Sequence, residues 1–348
     1  MRALFLYSEI AIYFLKCCEE LAKNNEVHVV KWPLNKAAPF KFNYSKSINI
    51  YKKNNYNRKE LLQLIKNINP DIIICSGWMD KDYLKITKLY FKKIPTVLSC
   101  DTQWRGSLKQ HLAIALSPFF LLNTFSHGWV AGDRQTEYLI KLGFNKNKIK
   151  DNFYSCDLDF YNTIYKKNVA NKTNNFPKRF LFIGRYYDFK GITDLWDAFI
   201  DLQKEDPNDW ELWCLGLGDI KPILHPKIKH FGFTQAEEIE PILAQCSVFI
   251  LPSRFEPWGV VVHEIAAAGL ALILSDSVGS KNYFLAESKN GFSFKSKDIK
   301  ELKNTLKKII NLSPEKVLEM GSLSHQLAQN INKEKWINNL FEIYNDVY

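Results

Sequence analysis

Short apolar runs alternate with longer amphipathic stretches along this chain, and the alternation occurs twice. In the first half, Ala3–Tyr7, Val27–Lys31, Ile72–Cys75, Thr96–Ser99 and Trp129–Ala131 read as buried strands, with helical patterns at 10–23, 58–68, 80–92, 106–117 and 133–142. After a polar, Asn/Lys-rich connecting stretch, Asn152–Pro177, the pattern restarts. Its strands are Arg179–Ile183, Glu211–Leu215, Ile228–Phe231, Val248–Leu251 and Ala271–Leu274, and its helices 189–204, 235–245, 260–268, 298–311 and 314–330. Strand–helix alternation of this kind predicts α/β domains with doubly wound parallel sheets, ligands lying at the strand carboxyl ends. A chain of 348 residues accommodates two such domains. We place them at 1–165 and 175–332, followed by a last helix over 333–348.

Charge is unevenly placed. Residues 1–170 carry 26 Lys/Arg against 14 Asp/Glu, and residues 171–348 carry 21 against 23. The basic half implies either an anionic partner, such as a phospholipid surface, or a solvated lysine-rich face. Seven cysteines, an odd number without C-x-x-C spacing, fit a reduced, cytoplasmic chain with no zinc site. The start of the chain reads as a strand, not a signal peptide. The longest apolar run, Leu112–Leu122, is too short to span a bilayer. Leu108, Leu112 and Leu116 form a stripe there, which reads first as a core-facing helix surface and second as one dipping into a membrane interface.

Residues 247–269 hold the most chemistry. A buried strand leads into the loop Pro252-Ser-Arg-Phe-Glu256-Pro257-Trp258-Gly259 and then a helix that carries Glu264. The helix start offers backbone N–H groups and a positive dipole end to a phosphate. Glu264 falls between one and two turns beyond the loop. Two carboxylates flanking a phosphate site describe a pocket for a nucleotide sugar.

The run Glu256-Pro-Trp-Gly-Val-Val-Val-His-Glu264 resembles the E-x7-E element of retaining glycosyltransferases with the GT-B fold, family four in particular. The resemblance implies two Rossmann-like domains facing a cleft, with the last helix crossing back onto the first domain. It implies that Glu256 approaches donor sugar hydroxyls, that Glu264 takes the ribose, and that the amides of Pro257–Val260, Trp258 and Gly259 included, lie on the diphosphate. Gly184-Arg185 and Lys190-Gly191 are similar to the family's phosphate-binding pair. Lys190 falls near a helix start, where the dipole disfavours a cation unless an anion joins it. Gly216 lies beside the nucleotide by the same likeness, Phe233 against the base, and Gly279 in a second glycine turn where Ser280 replaces the family's usual glycine.

On the first domain the Gly-rich loop often found after strand one is absent: Tyr7-Ser8-Glu9-Ile10 stands there. Asp101 reads either as a holder of the acceptor hydroxyl or donor sugar, or as a helix N-cap. Trp78, Trp104, Arg105, His127 and Arg134 are candidate acceptor contacts. The D-x-D spacings Asp80-Lys-Asp82 and Asp157-Leu-Asp159 do not follow an apolar strand as a metal motif requires. Arg185 and Lys190 offset leaving-group charge instead, so no metal is expected. The expectation is thus a metal-independent hexosyltransferase with catalytic Glu256, Asp101, Lys190 and Arg185. It would use a UDP- or GDP-sugar as substrate, no cofactor, and a glycan or lipid-linked acceptor of cell-envelope polysaccharide synthesis. It would be cytoplasmic, with possible peripheral contact to the anionic inner face of a membrane. A sugar-nucleotide epimerase or hydrolase, a non-catalytic sugar-nucleotide binder and a nucleic-acid binder are the alternatives, although no nucleic-acid motif is visible.

Overall fold

A computed structural model describes residues 1–33 and 42–346. It divides into two compact units, Met1–Cys156 with Ile331–Tyr348, and Asp157–Asn330.

Unit 1 runs β1 (Arg2–Tyr7), α1 (Ile12–Leu21), β2 (Glu26–Lys31), β3 (Ile48–Lys52), α2 (Arg58–Ile68), β4 (Ile72–Ser76), α3 (Lys81–Tyr90), β5 (Thr96–Cys100), α4 (Leu108–Phe120), β6 (His127–Val130), α5 (Asp133–Lys141) and β7 (Ile149–Lys150). Its sheet is parallel, in the order β3-β2-β1-β4-β5-β6-β7. Successive side chains of a strand point to opposite faces, so each central strand feeds two cores. Phe5, Val27 and Ile74 pack with α1 on one face, and Leu4, Leu6 and Ile73 pack with α2, α3 and α5 on the other.

Unit 2 runs α6 (Leu158–Asn174), β8 (Arg179–Ile183), α7 (Ile192–Glu205), β9 (Glu211–Leu215), β10 (Ile228–Gly232), α8 (Glu240–Ala244), β11 (Val248–Leu251), α9 (Val260–Ala267), β12 (Ala271–Ser275), α10 (Lys281–Phe284), β13 (Gly291–Phe294), α11 (Ile299–Ile310) and α12 (Pro314–Ala328). Its parallel sheet has the order β10-β9-β8-β11-β12-β13. The order reverses direction between β8 and β11. Crossovers on the two sides of such a point fall on opposite faces and leave a crevice at the carboxyl ends, where ligands of open α/β sheets bind. The last helix, α13 (Lys333–Asn345), packs on α1 of unit 1. Trp336 seats it there, 4.8 Å from Trp129 and 5.9 Å from Phe5 between ring centroids, with Nε1 donating to the Phe153 carbonyl at 2.9 Å. The final two positions of the expected 333–348 helix lie outside the described residues.

Four expectations are corrected. The connecting stretch is not irregular: α6 occupies most of it. Its buried residues Leu158, Tyr161, Ile164, Asn168 and Lys172 keep helical spacing, and the Asn and Lys between them masked it. Strands β3, β7 and β13 were missed because they are edge strands of few residues and mixed polarity. Helix α7 starts at Ile192 and not 189, because Gly191 adopts φ +66° and ends the short turn before it. The leucine stripe of α4 faces outward and not into the core.

Trp336→Ala should lower stability by about 3–5 kcal/mol, the usual cost of emptying a buried tryptophan site. Urea denaturation followed by circular dichroism reads this as a lower midpoint of the unit 1 transition. An unchanged midpoint would mean that α13 contributes nothing to that core.

Candidate functional site

The β8–β11 reversal brings two loops together in unit 2. After β8 come Gly184, the exposed Arg185 and a short turn ending in Lys190. After β11 comes the loop to α9, with Glu256 only 7% exposed. The Lys190 ammonium forms an ion pair with Glu256 Oε2, which also accepts from Ser253 Oγ at 3.4 Å. An ammonium and a carboxylate this little exposed compensate each other where either alone would be costly to bury.

The backbone makes that approach possible. Gly191 sits against the Pro252 carbonyl, and a Cβ there would come within 2.1 Å of its oxygen. Gly279 packs on the Pro257 carbonyl, where a Cβ would lie at 1.9 Å, and donates its N–H to the Glu256 carbonyl at 3.0 Å. Ser280 completes the turn: its N–H donates to the Trp258 carbonyl at 3.0 Å and its Oγ to the Gly259 carbonyl at 3.3 Å. The Ser280 side chain is therefore an added tie to the same loop. Gly259 is the N-cap of α9 at φ +88° and offers no side-chain acceptor to the first-turn amides, which begin at Val260.

Arg254 locks the two loops in register. Its guanidinium grips Asp194 of α7 at 2.9 and 2.6 Å and Asp188 at 2.5 Å, and its N–H donates to the Phe189 carbonyl at 2.9 Å. Those carboxylates push the Arg254 pKa up, a shift led by the Asp194 hydrogen bond. Glu264 lies in α9 beside Tyr161 of α6. Burial pushes its carboxyl up to about 7; the Tyr161 hydrogen bond opposes this and the nearby Asp157 adds to it.

Other expected contacts divide. Gly216 donates its N–H to the Gly232 carbonyl at 2.7 Å, so this amide joins the loops after β9 and β10. Phe233 is half-buried one residue past β10. The Trp258 ring turns into the core against Tyr283 and Phe284; only its main chain belongs to the loop. His230, three residues before Phe233, is held by Tyr186 Oη at 2.9 Å and the Ile223 carbonyl at 3.1 Å.

In unit 1, Asp101 directly follows β5 and is exposed. It does not cap a helix: Ser107 caps α4 in a capping box with Gln110. Tyr154 Oη donates to Asp101 Oδ2 at 3.3 Å, and Gln135 Nε2 to the Asp101 carbonyl at 3.0 Å. Trp78 and Trp104, at the ends of β4 and β5, flank Tyr138 at 6.3 and 5.9 Å. Arg105 is exposed beside Trp104, and Arg134 reaches Gln103 at 3.4 Å. His127 does not join them. It begins β6, at the amino end of the sheet, and bonds Ser126 at 2.8 Å and Asp346 of the C-terminal segment at 3.1 Å.

Residues 165–333 match the family model of group 1 glycosyl transferases. An uncharacterised glycosyltransferase of Haemophilus influenzae is 27% identical over 183 residues, 51% of each chain. An N,N'-diacetylbacillosaminyl-diphospho-undecaprenol alpha-1,3-N-acetylgalactosaminyltransferase of Campylobacter jejuni is 24% identical over 70% of this chain and 68% of its own. Among solved structures, HepE of Anabaena in complex with UDP-glucose superimposes with a TM-score of 0.71 at 13% identity, over 98% of this chain and 99% of that one. This chain has the GT-B glycosyltransferase fold. It spans about half the length of the first curated relatives it matches.

Within the GT-B frame, two groups escaped the sequence reading. Arg254 lies inside the run singled out as a motif, but its partners Asp188 and Asp194 are 60 or more positions away and no spacing announces them. Tyr154 lies in the stretch taken as a connection, and only the end of β5 identifies it as a partner of Asp101.

Arg254→Ala should leave Asp194 buried without its partner and cost about 3 kcal/mol, with Arg254→Lys only partly restoring the bidentate clamp. Thermal melting measures both. Equal melting temperatures for wild type and the alanine variant would refute the clamp. For Glu264 the folded pKa of about 7 lies above the ordinary 4.5. Folded protein therefore keeps a proton that unfolded chain has lost, and stability falls as pH rises from about 4.5 to about 7. Glu264→Gln should flatten that fall, melting higher than wild type at pH 8 and with little difference near pH 4; equal pH profiles would contradict the raised Glu264 pKa.

Proposed function

We propose that this chain is a retaining glycosyltransferase that moves a sugar from a UDP- or GDP-sugar to a hydroxyl of a glycan or lipid-linked glycan in cell-envelope polysaccharide synthesis. The Lys190–Glu256 pair at the β8–β11 reversal is the observation that carries this reading. It sets a phosphate-binding cation and a hydroxyl-binding carboxylate side by side at the mouth of α9. Support also comes from the E-x7-E likeness, from the C. jejuni relative named for a polyprenyl-diphosphate acceptor, and from the HepE structure, whose bound molecule is UDP-glucose.

The chemistry follows from charge. A donor diphosphate draws the Lys190 ammonium, joined by Arg185 and the first amides of α9, which offset its charge. Relieved of its cation, Glu256 accepts hydrogen bonds from the donor sugar hydroxyls. Glu264 takes ribose hydroxyls, and Phe233 lies on the base side. On unit 1, Asp101 holds the acceptor hydroxyl and Tyr154 positions its carboxylate, with Trp78, Trp104, Arg105 and Arg134 shaping the acceptor surface. The sugar–phosphate bond breaks with oxocarbenium character while Lys190 and Arg185 stabilise the departing phosphate. That phosphate assists the incoming hydroxyl from the same face, giving retention. The cations serve where a metal would, so the reaction needs none.

A thermal-shift panel of UDP-, GDP-, ADP- and CMP-sugars identifies the donor, since a bound ligand raises apparent stability. With that donor, Lys190→Ala and Glu256→Ala should each lower turnover about 100-fold or more without loss of fold, and a chelator should leave the rate unchanged. Near-normal rates in both variants would remove the pair from the site, and strong chelator inhibition would refute the metal-free mechanism.

A further inference from the structure

Helix α4 is built inside out. At about 100° per residue, Leu108, Leu112, Leu116 and Phe119 fall within an arc of about 80°. They are 88%, 60%, 46% and 74% exposed. The polar Gln110 and Ser117 are turned inward and buried. Gln110 has a reason to be there, since its side chain ties the Gln103 carbonyl at 2.8 Å and the Arg105 N–H at 2.8 Å. Folding gains nothing from four large apolar groups left in water.

Their setting is cationic. No Asp or Glu occurs between Asp101 and Asp133, and Lys109 lies at one edge of the stripe. Helix α3 packs on the same face of the sheet and turns Lys85 and Lys88 outward. On the α5 side, Lys141 stands 5.2 Å over the Trp104 ring and pairs with Glu137 of the same helix, so among the described residues the free cations of this face are Lys85, Lys88 and Lys109. Asp82 of α3 is neutralised by Lys53 and Arg58.

We propose that α4 docks unit 1 on an anionic lipid bilayer, with the leucines and Phe119 entering the interface and the lysines on the headgroups. A narrow apolar ridge between lysines matches a surface that is apolar within and negative at its edge. A second copy of the chain meets this face less well, because a two-fold contact sets the same lysines against each other. The inference deepens the proposed function. Helix α4 starts just after Trp104 and Arg105, so docking brings a lipid-linked acceptor to the residues assigned to it. No helix among the described residues is long and apolar enough to cross a membrane.

Co-sedimentation with vesicles of phosphatidylglycerol and phosphatidylcholine, against phosphatidylcholine alone, tests it. Wild type should bind the anionic vesicles and lose binding in high salt. The triple variant Leu108→Ser, Leu112→Ser, Phe119→Ser should lose about 10-fold or more in partitioning, and Lys85→Glu with Lys88→Glu should do likewise. Because the altered residues are exposed, melting temperature and donor thermal shift should stay at wild-type values. Absence of vesicle binding by wild type, or equal binding by the serine variant, would overturn the proposal. So would a concentration-dependent dimer in light scattering that the serine variant abolishes, which would assign the face to a second copy. Vesicle binding without any sugar-nucleotide shift would instead sink the proposed reaction and leave the docking intact.

Discussion

The Lys190–Glu256 ion pair joins the two loops on which the candidate site of unit 2 is built. Its two members come from loops that follow different strands, and they meet because the strand order reverses between β8 and β11. An ion pair with little exposure stabilises only if its geometry is imposed from outside. The surrounding loops supply that geometry through close backbone approach at Gly191 and Gly279 and through the grip of Arg254 on Asp188 and Asp194. The pair is also a store of charge that a ligand can redistribute. In the proposed reaction a diphosphate competes with Glu256 for the ammonium, and a polyol with Lys190 for the carboxylate.

Glu264 extends the same logic along α9. Burial and the nearby Asp157 raise the proton affinity of its carboxyl, against the Tyr161 hydrogen bond. A ribose that donates hydrogen bonds to it would favour the ionised form. In the proposed reaction, donor binding near neutral pH therefore releases a proton, coupling recognition of the nucleotide to solution pH.

Much of this was legible in the sequence, for identifiable reasons. The central strands of both sheets are buried on both faces and read as unbroken apolar runs, as in Ile72-Ile-Ile-Cys75 and Ala271-Leu-Ile-Leu274. The Glu256 loop and Lys190 were visible because the relevant residues sit within a short span of a strand end. What was hidden depends on pairing across the fold. Edge strands such as Ile149–Lys150 exist only through their neighbour. Helix α6 carries Asn168 and Lys172 on its buried side, which a polarity reading takes for solvent. Sequence position groups His127 with Arg134 at the next strand–helix junction, but His127 begins β6, at the amino end of the sheet, while that junction follows the strand's carboxyl end. The leucine stripe of α4 has the period of a core helix, and only the burial of Gln110 and Ser117 shows which side faces in.

The central claim is that Lys190 serves the diphosphate and Glu256 the sugar. Titration calorimetry separates them, using the nucleoside diphosphate and its sugar ester against wild type and each alanine variant. Glu256→Ala should bind the bare diphosphate at least as tightly as wild type, its lysine having been freed, while losing the gain that the sugar adds. Lys190→Ala should bind both ligands more weakly. If Glu256→Ala loses the diphosphate as severely as Lys190→Ala does, the two residues do not divide the donor in this way and the account is wrong.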